Sequence, residues 1–146
     1  MNKKLLSAAL LCMCIYMPAK SALTLWVQNL KRESIKVKFE SQEKKGNKAR
    51  WQAEFTIPSG EVYSKALGGG AALGGFGVDG KGLYVNKPGE YWFLQISLAM
   101  TVPFAYRLYR VKDPAKIPNY FSSNRWDWPD QPQTKENLDL VDSGEY

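Results

Sequence analysis

The chain has no histidine, and its only two cysteines, Cys12 and Cys14, stand within the first fourteen residues. Without histidine there is no Ser-His-Asp or Cys-His nucleophilic arrangement. The zinc, copper and iron sites built on His and Cys go with it. No long hydrophobic run is present either. Leu5 to Met17 is apolar but too short to span a bilayer as a helix, which takes about 20 residues. Helical periodicity is also lacking between residues 22 and 112.

The opening "MNKKLLSAALLCMCIYMPAKSA" has the order of an export signal. Lys3 and Lys4 form a positive start, an apolar stretch follows, Pro18 breaks it, and Ala19 and Ser21 occupy the −3 and −1 positions of a small-residue cleavage site. Residues 1–21 are therefore expected to be a cleavable signal peptide. Leu11 and Met13, just before the cysteines, do not suit lipidation. Cleavage would leave a mature chain free of cysteine and of disulfide staples. That fits a bacterial periplasmic or secreted protein better than a small eukaryotic secreted domain.

What is abundant is period-two alternation. In "SIKVKFE", Ile35, Val37 and Phe39 face one way and Lys36, Lys38 and Glu40 the other. In "RWQAEFTI", Trp51, Ala53, Phe55 and Ile57 alternate with Arg50, Gln52, Glu54 and Thr56. "LTLWVQNL" and "EVYSKAL" read as further strands. "YWFLQISLAM" is apolar on both faces and suits a central strand. "FAYRLYRV" sets Phe104, Tyr106 and Leu108 against Arg107, Tyr109 and Val111. Short strands at roughly ten-residue spacing imply an all-β, antiparallel β-sandwich of six to eight strands, Ig-like or C2-like in layout. The sandwich is expected over 22–112. An irregular C-terminal strap rich in Pro and Trp follows, then an acidic tail, together 113–146. The part of the strap up to Pro129 is expected to dock and the end from Gln131 to be mobile.

Charge divides the same way. From Ala22 to Trp126 there are 16 Lys and Arg and 8 Asp and Glu, a net of +8, whereas the last twenty residues carry 6 acids and one base, a net of −5. The tail either folds back on the basic body or is a solvated end. A basic body attracts anionic lipids or glycans. Nucleic acid is a poor partner for an exported protein.

Motifs that would carry chemistry fail on context. Ser41 and Lys44 match S-x-x-K but sit in a polar loop. Glu54, Glu61, Asp79 and Glu90 are carboxylates that nothing in the sequence pairs, and no loop has an EF-hand pattern. Gly75, Gly77 and Gly80 spell G-x-G-x-x-G, yet Gly82 and Pro88 fall where the required helix would run. No enzyme activity, cofactor or metal is expected.

The unusual stretch is "ALGGGAALGGFGVDGKG", residues 66–82, which holds 8 of the chain's 12 glycines. Two uses are open. As a glycine-rich hairpin it turns Leu67, Leu73, Phe76 and Val78 into the core. As an apolar loop flanked by Lys65 and Lys81 it inserts shallowly into an anionic membrane or a partner. In the second layout the chain is similar to small β-sandwich cytolysins such as the aegerolysins, and no residue role is carried over from them. A second candidate surface is the aromatic strap of Tyr120, Phe121, Arg125, Trp126 and Trp128, which suits a sugar, a protein interface or simple pinning to the body. A third is the basic strand face of Lys36, Lys38 and Arg50. The leading expectation is an exported, non-catalytic interaction module for a protein or cell-envelope component. The alternative is a membrane-active, lipid-binding or pore-forming protein using 66–78, and the third reading is a carbohydrate-binding module.

Overall fold

The computed structural model describes residues 23–42, 50–67, 72–117 and 136–146. Residues 1–21, expected to be a signal peptide, and the five strap residues, Tyr120, Phe121, Arg125, Trp126 and Trp128, lie outside the described residues. The described chain is a β-sandwich. Its strands are β1 (Leu23–Asn29), β2 (Ile35–Gln42), β3 (Arg50–Ile57), β4 (Val62–Leu67), β5 (Ala72–Val78), β6 (Lys81–Pro88), β7 (Tyr91–Ser97), β8 (Ala105–Val111) and β9 (Leu138–Glu145). One sheet has five strands in the order β4-β1-β7-β8-β9, and the other has four in the order β3-β2-β5-β6.

The alternating residues build the space between the sheets. Leu23, Leu25 and Val27 of β1, Ile35, Val37 and Phe39 of β2, and Trp92, Leu94 and Ile96 of β7 are all fully buried in one cluster. Their lysine-bearing alternates, Lys36 and Lys38, point away from it. Strand β7 is the middle strand of its sheet and is buried on both faces from Trp92 to Ile96. Its other face carries Phe93, which joins Val62, Val111 and Leu138 in a second cluster. Trp26, Tyr91, Tyr109 and Ile117 pack against that cluster. The doubly apolar sequence of β7 thus serves two hydrophobic layers.

Two features differ from the expectation. Strand β1 runs parallel to β7, pairing Leu25 with Trp92 and Val27 with Leu94, so the five-stranded sheet is mixed. And the acidic end is ordered where a mobile tail was expected. Leu138–Glu145 pairs antiparallel with β8 from Val111↔Leu138 to Ala105↔Glu145. Charge is one reason: Asp139 meets Lys112 at 3.1 Å. Packing is the other. Tyr106 lies against Gly144, where an added Cβ would come within 3.2 Å of the ring. Burial, and then the nearby Asp142 carboxylate, push the Tyr106 phenol above its ordinary pKa. Of the two readings of the acidic end, folding back on the body is the one observed over 138–145.

Candidate functional site

The glycine stretch is not one loop. Leu67 ends β4 in the five-stranded sheet, residues 68–71 lie outside the described residues, and Leu73 onward belongs to β5 in the other sheet. Leu67, Leu73, Phe76 and Val78 are buried in the inter-sheet cluster. Lys65 and Lys81, expected to flank a single apolar ribbon, are exposed on edge strands of different sheets. Of the two uses expected, the core one is what these four apolar side chains are seen in.

The glycines solve a different problem. The four-stranded sheet is irregular along one line. Register shifts fall at Phe39/Glu40 against β3, at Glu40/Ser41 against β5, and at Leu73/Gly75 between β5 and β6. Extra residues in successive strands coil the sheet and re-aim the side chains beside them. Glu40 sits on this line, opposite Gly75, and Gly75 sits opposite Tyr84. Because Gly75 has no side chain, the Glu40 carboxylate reaches across it and accepts a hydrogen bond from Tyr84. An added Cβ at Gly75 would lie 2.7 Å from the Leu83 carbonyl oxygen and 3.0 Å from Glu40 Oε1.

Glu40 is 1% exposed, and its Oε1 has no hydrogen-bond partner. Burial pushes its carboxyl above the ordinary range, and the Tyr84 bond opposes this only in part. The folded chain thus holds this proton to higher pH than the unfolded chain. The group's contribution to stability is full below the unfolded value and falls as pH rises through the raised folded value. Glu40→Gln should remove that fall, raising stability by about 1 kcal/mol on the high-pH side of the carboxyl's titration and making urea midpoints decline less than the parent's as pH rises above the ordinary carboxyl range. A parent-like pH dependence in the variant would locate the titration elsewhere. Glu54, lowered by its hydrogen bond and charge pairing with Lys38, acts with the opposite sign and is unchanged in this comparison.

The basic strand face is only partly available. Lys36 is exposed, and its backbone N–H donates to Asp79 Oδ1 at 2.9 Å. Lys38 pairs with Glu54 across the β2–β3 ladder at 3.0 Å. The Arg50 side chain lies outside what is described. The base of the strap is stitched: Asp113 N–H donates to Asn137 Oδ1 at 2.7 Å, and Asn137 Nδ2 donates to the Asp113 carbonyl at 2.8 Å. These bonds hold Asp113 and Asn137 side by side.

Among the described residues the most exposed large apolar side chain is Met100, and Leu98 and Leu140 are as exposed as each other. The β7–β8 connection presents Leu98 at 57% and Met100 at 99% exposure. From Ile96 to Tyr106 no residue is charged. The end of the sandwich that carries this loop is firmly braced. Leu30 N–H donates to the Ile96 carbonyl at 2.7 Å. Buried Asn29 donates to the carbonyls of Ile57 and Glu33 and accepts from Lys31 N–H. Lys31 in turn contacts Glu33 and Asp79 at 3.0 and 3.7 Å. Phe104 and Tyr146 exchange backbone hydrogen bonds beside the loop. In the sequence "LAMTVP" reads as the end of a strand and a turn. The signal that could have marked it is a charge-free connection in a lysine-rich chain. Among the described residues no group of three or more His, Cys, Asp or Glu could hold a metal ion. Compared with known families, characterised proteins and solved structures, the chain matches none, so its own residues carry the argument.

Proposed function

We propose that the chain is an exported, non-catalytic binding module that engages a protein or another component of the cell envelope through its β7–β8 loop. The observation that carries this is the exposure of Leu98 and Met100 together on one connection at a braced end of the sandwich. Isolated exposed apolar residues are common on proteins. Two on one uncharged connection, with no charge from Ile96 to Tyr106, form an anchor of the kind that dominates interfaces. Under the membrane-active alternative this loop supplies the exposed apolar contact, since Leu67, Leu73, Phe76 and Val78 are buried.

The test is co-sedimentation with cell-envelope fragments and, in parallel, with protein-free liposomes. Leu98→Asp, Met100→Asp should keep the parent's stability within about 0.5 kcal/mol, since both sites are solvent-facing. It should also lose binding roughly tenfold or more. Binding to envelopes alone supports a protein or glycan partner, and equal binding to liposomes shifts the reading to lipid. Undiminished binding by the variant sinks the loop as the anchor.

A further inference from the structure

Side chains on the outer face of the four-stranded sheet fall in rows across β2, β5 and β6. One row is Glu40, Gly75 and Tyr84, and the next is Lys38, Gly77 and Gly82. The second row has no side chain on two adjacent strands. Its floor is bare backbone about 10 Å across from β2 to β6, with Gly77 buried and Gly82 open to solvent. On one side stands the Lys38–Glu54 pair, each side chain about half exposed. On another stands the Tyr84 ring, 70% exposed. Glu40 Oε1, buried and without a partner, projects over Gly75 at the end of this trough.

We propose that the trough over Gly77 and Gly82, bounded by Tyr84, Glu40 and the Lys38–Glu54 pair, is a binding site for a neutral sugar. A bare backbone floor admits a flat ring, and the Tyr84 ring offers it an apolar wall. An unpartnered buried carboxylate oxygen calls for a hydrogen-bond donor. A ligand hydroxyl seated over Gly75 would meet that oxygen, while the Tyr84 hydroxyl keeps the other carboxylate oxygen. Charge selects among donors. A cation would face Lys36 and Lys38, and an anion would face Glu40 and Glu54, so a neutral polyhydroxylated ring is the class that both sets tolerate. The site is on a different face from the β7–β8 loop and stands independently of the loop's role.

The test is titration of the purified protein with neutral disaccharides (cellobiose, maltose and diacetylchitobiose), with glucosamine and glucuronate as cationic and anionic comparators. Binding is read from the backbone amide signals of Gly77, Gly82 and Tyr84. At least one neutral sugar should shift these signals at low-millimolar concentration. Tyr84→Ala should weaken the effect by up to about tenfold, on the scale of one lost ring contact. Gly82→Leu is the second variant. Gly82 does not have positive φ and is exposed, so a side chain there is accommodated and blocks the floor. It should abolish the shifts. Three results would each overturn the proposal: no shift with any neutral sugar, a response to the charged comparators alone, or an unchanged response in Gly82→Leu.

Discussion

Phe76→Asp is expected to abolish cooperative folding. Phe76 is fully buried, and its ring meets Tyr106 edge-on, with centroids 5.2 Å apart. Through this contact β5 of one sheet touches β8 of the other. Removing a buried aromatic ring costs about 3–5 kcal/mol. A carboxylate put in its place is a buried, unpaired charge, which adds several kcal/mol or takes up a proton instead. Domains of this size hold only about 5–15 kcal/mol in all. The variant should therefore lose its near-ultraviolet circular dichroism and show no sigmoidal urea transition, while Met100→Asp keeps both. A folded Phe76→Asp protein would mean that the glycine-rich strand is not core. Any loss of membrane or partner binding in a variant of this strand would report unfolding, which is why the loop variant and not this one tests function.

How far the sequence discloses this molecule depends on which physical signal each element carries. Strands β2 and β3 alternate apolar with polar or charged residues, so their facing is readable from the sequence. Strand β7 announces its central place by being apolar on both faces. Strand β9 is not readable in this way. "LDLVDSGE" carries three acids and one glycine, and its reason to be a strand lies in its partner: the hydroxyl and ring of Tyr106, the Lys112 ammonium and the free edge of β8. The parallel β1–β7 pair is equally silent, because it joins segments more than sixty positions apart. The glycine stretch shows the limit most clearly. Its composition is compatible with a flexible apolar loop and with a tightly packed hairpin. What separates them is the facing of Leu73, Phe76 and Val78 toward the other sheet and of Gly75 and Gly77 away from it. That distinction depends on a bulge at Gly74, which breaks the simple alternation. Of the candidate site, Lys38 and Glu40 were legible as outward-facing, whereas the Glu40–Tyr84 bridge depends on the register of three strands.

Gly75→Ala puts this bulge to the test with a single methyl group. At most strand positions glycine to alanine is neutral or favourable, because alanine restricts the unfolded chain more. Gly75 should behave in the opposite way. The new Cβ would lie 2.7 Å from the Leu83 carbonyl oxygen, 3.0 Å from Glu40 Oε1 and 3.5 Å from the Tyr84 Cα. The carboxylate belongs to a side chain that can turn. The carbonyl belongs to the backbone of β6, which is held in the ladder by Phe76↔Leu83 and Gly77↔Gly82 pairing. It can move only if β6 moves. Overpacking of this kind costs about 1–3 kcal/mol, and the backbone contact places Gly75→Ala toward the upper end, a fall of roughly 10 °C in thermal midpoint. Gly80→Ala is the informative contrast: space there is open, yet φ is +83°, so its cost comes from backbone strain alone, about 1 kcal/mol. Adding Glu40→Ala to Gly75→Ala separates the two contacts. If the carbonyl governs, the double variant recovers less than half of the loss. Full recovery would mean that β5 and β6 can separate freely and that the glycine serves only to admit the Glu40–Tyr84 bridge. In either case the loss in Gly75→Ala measures how closely the sheet is drawn together beneath that bridge, and a parent-like Gly75→Ala would remove the packing basis for the bridge altogether.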